Sequence, residues 1–326
     1  MTGIARARLA SIDMVRVVGI TAVVAGHTWT GEGVALLVYP WHVPLFFFVS
    51  GYLWKRKPAS ADLRARALSL LLPYASWLAV IGVVFFGALA FRDREIPWNF
   101  VARALLGGDY IGRPFSAFWF VTALFIAALL YRALDPLPLW AKWAAAAGTL
   151  VTAYFAHDTL LLAPLGAGLA LPCIVFLVAG ESFARLRSQL HLDFRIGLVA
   201  LFIAAFLVFS RLSAPLNLKQ ADFGTPAIST VTAILISAGL ILVAEPAARQ
   251  LSSRWSTAIS IAAQAGLVVV LTHAVVLWVF RADGDGPVWV FILALLPPWI
   301  LSVALLYTPL ARLLTGQKRL VRAGTN

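Results

Sequence analysis

Cysteine is almost missing from this chain: its 326 residues contain one, Cys173. A lone thiol makes neither an internal disulfide nor a cysteine metal site, so the expected role of Cys173 is that of a small buried hydrophobe. Charge is scarce as well, at 12% of residues where soluble domains carry about 25%. Acidic residues are scarcer than basic ones, 14 against 26. There is no internal repeat, no low-complexity linker and no phosphate-cradling glycine loop, and the Gly107-Gly108 pair reads as a turn. A disulfide-stapled fold, a solenoid and a glycine-loop nucleotide site are thereby excluded.

What fills the chain is apolar surface, with 61% hydrophobic residues and a mean hydropathy of +0.89. That composition predicts an all-α, polytopic integral membrane bundle. Windows long enough to cross a bilayer fall near residues 12–30, 36–54, 67–91, 115–131, 139–156, 162–183, 195–211, 226–244, 261–280 and 287–310. About ten spans result, and they leave no room for a soluble catalytic domain. Residues 1–326 are expected to form one transmembrane domain whose chemistry is done by helices and short loops. The first apolar stretch is too long for a cleavable signal peptide and carries Arg16 within it, so it reads as an uncleaved span.

The distribution of basic residues offers a separate test of the span count, because Lys and Arg crowd cytoplasmic loops. With the N-terminus inside, eighteen of the 26 basic residues fall on the cytoplasmic side and seven outside, Arg16 lying within the first span. Both termini are then expected in the cytoplasm. The net charge of +12 reads as membrane topology and contact with anionic lipid, and gives no support to nucleic-acid binding.

Ionisable residues inside the spans are the candidate machinery. Arg16 and His27 are eleven residues apart, which at 100° per residue turns through about 1100° and puts both on one helix face, about 16 Å apart. Arg16 alone is also compatible with snorkelling to the headgroups. Asp13, three residues before Arg16, suits either an intrahelical ion pair or a helix-start carboxylate. The second span opens with Tyr39 and Trp41 as interface anchors and puts His42 at a depth similar to that of His27. His273 lies in the ninth span, where a packed hydrogen-bonding residue is the alternative to a substrate contact. His157 and His191 fall in loops and read as solvated. Trp119 starts the fourth span, as an aromatic-belt anchor or a sugar-stacking platform. Ser50, Gly51 and Tyr52 read as ordinary helix packing or as the lining of a tunnel.

These motifs resemble those of a known family. "SIDMVRVVGITAVVAGH" followed by "WHVPLFFFVSGYLW" looks like the start of the acyltransferase 3 family, closest to its fucose 4-O-acetylase-like branch. "LLGGDYIGRPFSAFWFVTALF" around Trp119, "DFGTPAISTVTAILISAGLILV" and the helix carrying His273 resemble later family segments, so the likeness covers nearly the whole chain. Thr272 and Ala274 depart from the aliphatic residue and proline usual beside the late histidine. The resemblance implies a membrane O-acyltransferase of the bacterial cytoplasmic membrane. Its donor would be acetyl-CoA or another acyl-CoA, and its acceptor a sugar hydroxyl of an envelope glycan or glycolipid, without a metal. Read for that chemistry, His27 suits a general base and His42 an orienting group, an oxyanion donor or a second proton carrier. Arg16 with Asp13 is placed to hold a CoA phosphate, with Ser50 and Tyr52 along the donor path and Lys55, Arg56 and Lys57 at its mouth, the latter three also serving as lipid-contacting topology residues. Trp119 and His273 would meet the acceptor. The outer loops 92–114 (Asp93, Arg94, Glu95, Asp109, Tyr110, Arg113) and 211–225 (Asn217, Lys219, Gln220, Asp222) suit carbohydrate hydroxyls and any wet surface alike.

Two readings from other classes compete. A polytopic transporter or flippase for a glycan precursor would place its site on broken helices in repeated halves, and the chain shows no such repeat. A non-catalytic scaffold accounts neither for the Arg16 and His27 spacing nor for His42. Nothing in the pattern sets an oligomeric state.

Overall fold

The computed structural model describes residues 3–91, 98–282 and 284–321, with side chains from residue 8 onward. Asp93, Arg94 and Glu95 of the expected acceptor loop lie outside the described residues. The α-helices run α1 Gly3–Thr28, α2 Glu32–Val38, α3 Pro44–Tyr52, α4 Ala59–Arg66, α5 Leu72–Phe91, α6 Trp98–Leu106, α7 Phe118–Ala133, α8 Leu139–Phe155 and α9 His157–Leu161. They continue as α10 Ala167–Gln189, α11 Phe194–Phe209, α12 Ile228–Gln250, α13 Ser253–Val279, α14 Val288–Leu306 and α15 Ala311–Thr315. Among the described residues there is no strand, only an isolated bridge between Asn217 and Asp222.

Among the described residues, six stretches of helix are long and apolar enough to cross a membrane: Arg8–Thr28, Ala59–Phe91, Pro164–Gln189, Ile228–Gln250, Ser253–Val279 and Val288–Leu306. The other four expected spans are shorter. α7 and α11 have 16 residues each and α8 has 17. The window 36–54 is not one helix at all. Pro40 and Pro44 cannot donate the hydrogen bonds that would carry a helix through, so α2 stops at Val38, residues 39–43 form turns, and α3 restarts with Pro44 in its first turn.

Two helices form the axis of the bundle. α10 is buried along most of its length between α3, α7 and α8, and α1 is enclosed by α12, α13 and α14 with α3 alongside. The outer surface is apolar too, with Val83 on α5 74% exposed and Phe202 on α11 76% exposed, which fits contact with hydrocarbon instead of water. Small residues set the closest packing. A Cβ on Gly51 would overlap the Leu177 carbonyl, and one on Gly180 would overlap the Phe48 carbonyl and the Tyr52 amide, so α3 and α10 meet backbone to backbone.

Charges gather at one end of this bundle in a buried lattice. Asp62 accepts from Arg66 at 2.9 Å and pairs with Arg132 at 2.8 Å, and Arg132 also pairs with Asp135. Lys142, wholly buried, bridges Glu181 at 2.9 Å and Asp135 at 3.6 Å, while Tyr131 and Arg185 complete the Glu181 carboxylate. The Trp54 indole donates to Asp135 at 2.8 Å, and the guanidiniums of Arg66 and Arg132 lie 4.7 and 4.3 Å from the Trp54 ring. Lys142 is therefore part of the packed interior, not a solvated loop cation.

Two outcomes check this packing by thermal unfolding in detergent. Lys142→Met strips a buried ammonium from two carboxylates and should cost about 3 kcal/mol or more. Gly180→Ala should cost about 1–3 kcal/mol through forced separation of α3 and α10. An unchanged midpoint in either variant contradicts the packing described.

Candidate active site

α1 carries Asp13, Arg16, Ile20 and His27 on the face that looks toward α13, as the helical period requires. Ser260 of α13 is near enough to Asp13 to favour its carboxylate, Ile20 abuts Gly266, and His27 meets His273. Arg16 pairs with Asp13 at 3.4 Å, with about a third of its side chain exposed.

The histidine contact is the centre of the site. His27 Nδ1 and His273 Nε2 are 2.7 Å apart, and the rings stack at 5.0 Å with an interplanar angle of 24°. His273 Nδ1 lies 3.0 Å from the Val269 carbonyl one turn below. A carbonyl only accepts, so His273 donates from Nδ1 and, as a neutral ring, keeps its lone pair on Nε2. His27 then has to donate from Nδ1. Its Nε2 is left as a bare lone pair. The adjacent Thr272, where the family pattern usually has an aliphatic residue, buries its hydroxyl by donating to Val268 O at 2.7 Å.

His27 is held because the last carbonyls of α1 all have donors, three of them from distant segments. Helix ends leave their last carbonyls without intrahelical partners. Here Ala25 O accepts from the Trp29 amide at 2.9 Å, Gly26 O from the Tyr39 hydroxyl at 3.2 Å, His27 O from Arg113 at 3.1 Å and Thr28 O from the Gly286 amide at 3.1 Å. Arg113 also donates to Ala282 O at 2.6 Å, tying the end of α1 to the segment after α13. The Trp29 indole donates to Gly286 O at 2.7 Å and adds a second tie.

His42 sits in the break between α2 and α3, buried, donating from Nδ1 to Val38 O at 2.9 Å and edge-on to Tyr39. It is close enough to interact electrostatically with His27, but the ring that bonds His27 is His273. Non-helical backbone at such a depth is tolerated where it is buried in protein or lines a cavity. Val43 from this break, together with Val23, Phe46, Ala117, Trp119, Phe120 and Val270, lines a cavity of about 30 Å³ beside His27. Trp119 is 5% exposed and faces that cavity, so it is not an outer-belt anchor.

The remaining candidates are spread out. Tyr52 accepts from Arg187 at 2.8 Å, Gly51 packs against α10, and Ser50 is half-buried. Lys55, Arg56 and Lys57 are exposed; Arg56 donates to Asp135 O at 2.9 Å, and the Lys55 carbonyl accepts from Arg132 at 3.1 Å. His157 pairs with the neighbouring Asp158, and Cys173 is buried in α10. Among the described residues no group of three or more His, Cys, Asp or Glu side chains is arranged to hold a metal ion.

Two residues near the histidines stood in the sequence only as loop polarity. Arg113 has been described. Lys219 donates to Ile111 O at 2.9 Å, and burial lowers its ammonium pKa against the opposing pull of Asp109. Both act on the site electrostatically. Their loops pack down onto the bundle end, which local sequence does not reveal.

The family of the acyltransferase domain matches residues 9–308. The chain belongs to the acyltransferase 3 family. The nodulation protein NolL of Mesorhizobium japonicum is 29% identical over 170 residues, which cover 48% of this chain and 43% of the relative. The match thus spans less than half of that relative's length. No solved structure matches the chain. An acyltransferase domain is therefore carried on helices of membrane-crossing length.

The tautomer assignment is open to direct measurement. Nitrogen-15 NMR of histidine-labelled protein above neutral pH should find His27 protonated at Nδ1 and bare at Nε2. His273→Ala should mix the two forms. A wild-type His27 protonated at Nε2 contradicts the hydrogen-bond chain.

Proposed function

We propose that this protein is an acyl-CoA-dependent O-acyltransferase that moves an acetyl group onto a sugar hydroxyl of an envelope glycan or glycolipid, with His27 as general base. The observation that carries this reading is the chain from His27 through His273 to the Val269 carbonyl, which leaves His27 Nε2 with an unshared pair at the edge of a cavity. Family membership supplies acyl transfer as the reaction class.

The chemistry follows from those atoms. A sugar hydroxyl is a weak nucleophile until a base removes its proton as it attacks. His27 Nε2 takes that proton while the hydroxyl oxygen bonds to the thioester carbonyl carbon. Collapse of the tetrahedral adduct breaks the carbon–sulfur bond, and the departing CoA sulfur recovers the proton from His27. His42, with its Nε2 free of the Val38 contact, is assigned to the reacting oxygen or to the second proton step, and Trp119 to the wall against which the acceptor and acyl group lie. The apolar lining and small size of the cavity favour a short acyl group.

Arg16, three turns from His27 on the same face, is assigned to the donor's phosphates, with Asp13 orienting its guanidinium and Ser50, Tyr52 and Lys55 to Lys57 toward the entry. This places the donor on the cytoplasmic side of a bacterial inner membrane, with both termini inside and all ten apolar stretches embedded in one multi-pass domain. The loops around Arg113 and Lys219 would face the acceptor from outside.

Transfer assays on detergent-purified protein, with acetyl-CoA and extracted envelope glycans, test the assignment. His27→Ala should abolish transfer at unchanged expression. His273→Ala should lower kcat by about 10- to 100-fold with little change in KM, since it orients the base without touching substrate. Wild-type glycan acylation by His27→Ala would remove the base from the scheme.

A further inference from the structure

A second cavity, of about 640 Å³, opens at the other end of α1, lined by Arg8, Arg187 and Arg249 together with His191, Asp193 and backbone of the α10–α11 connection. Its size is within the range of about 300–1,000 Å³ usual for small-ligand pockets. Three guanidiniums converge on one buried carboxylate, Glu245, at 3.7 Å from Arg8, 2.8 Å from Arg187 and 3.7 Å from Arg249. One carboxylate offsets one of the three positive charges. Asp193, the acid in the lining, accepts the amides of Arg195 and Ile196 at the start of α11 and offsets a second charge, which leaves one positive charge in excess.

The arginines differ in freedom. Arg187 is 4% exposed and fixed by Glu245 and by the Tyr52 hydroxyl, so it forms the floor. Arg8 and Arg249 are 46% and 61% exposed and touch Glu245 only at 3.7 Å, so both can turn onto a ligand without breaking a close hydrogen bond. Guanidinium forks match phosphate and carboxylate oxygens bidentately, and a rigid floor with two adjustable walls suits a ligand bearing more than one anionic oxygen face, as a phosphoryl group does.

We infer that this cavity binds a phosphate-bearing anion, held by Arg8 and Arg249 over Arg187. Two sources offer that chemistry at this end of the bundle: the nucleotide end of a soluble organic phosphate, and the headgroup of an anionic lipid. The lipid source is independent of the reaction assigned to His27, which lies nineteen residues and about 28 Å farther along α1; the nucleotide source rests on that reading and would share the donor's phosphates between this cavity and Arg16.

The test uses the full-length protein in detergent and in nanodiscs. Adenosine 3′,5′-bisphosphate should raise the thermal unfolding midpoint and bind with an affinity that falls with salt. The double variant Arg8→Gln/Arg249→Gln should weaken that binding tenfold or more, and Arg249→Gln alone should weaken it by less. If the bisphosphate has no effect but phosphatidylglycerol nanodiscs stabilise the wild type over phosphatidylcholine ones, and the double variant loses that difference, the ligand is a lipid phosphate. No response to either probe, or equal responses in wild type and variants, overturns the site. His27→Ala should bind the bisphosphate like the wild type, which separates a failed phosphate site from a failed base.

Discussion

One hydrogen bond between two neutral imidazoles governs the arrangement around it. His27 and His273 come from helices that are 246 residues apart in the chain, yet their nitrogens meet at 2.7 Å and the second ring is anchored to the Val269 carbonyl. Inside an apolar bundle, unpaired ring nitrogens are costly and charged ones more so. Each ring therefore has to find its partner, and the direction of donation is fixed by the carbonyl at the end of the line. Everything that positions α1 against α13 serves that contact: the Asp13 and Ser260 approach at one end, Ile20 against Gly266 in the middle, and the Arg113 and Gly286 ties at the other.

The two ends of the bundle solve opposite problems. Around the histidines, polarity is sparse, and most donors are spent on the frayed carbonyls of α1. At the far end, polarity is dense but neutralised in place. Lys142, Glu181, Asp135, Arg132 and Asp62 form a lattice in which each buried charge touches an opposite one, the condition under which burial of ions is tolerated. Arg187 and Glu245 repeat the device between α10 and α12, with two further arginines left at the rim. Arg8, Arg66, Arg132, Lys142, Arg185, Arg187 and Arg249, all of which the sequence reading groups on one side of a membrane, pair with carboxylates at this end.

Much of this was legible before the fold was known. The Arg16 and His27 spacing predicts a shared helix face; His27 does look toward α13, while the partner of Arg16 is Asp13 on its own helix. Hydropathy predicts helices throughout, and each expected window holds helix. Hydropathy averages over windows, however, and so misses the break at residues 39–43, where Pro40 and Pro44 stop the helix locally and set His42 in a turn. Long-range pairing is also absent from a linear pattern. His42, nearest in sequence, was the expected neighbour of His27, but the ring that bonds it comes from α13. Arg113 and Lys219 were visible only as loop charges because what matters is where their loops fold back, and Trp119 looked like an interface anchor because burial by residues distant in sequence leaves no local trace.

The separation of the two histidines along the chain has a bearing on biogenesis. As α1 enters the bilayer from the ribosome, the carbonyls of His27 and Thr28 and the Nδ1 of His27 have no lasting partners, because Arg113, Gly286 and His273 have yet to be synthesised. The ring is free to exchange tautomers, and the end of the helix to fray, until α13 is in place. Orientation of the base thus waits on α13: a chain that stops before it carries every residue of the opening motif and still lacks an oriented imidazole.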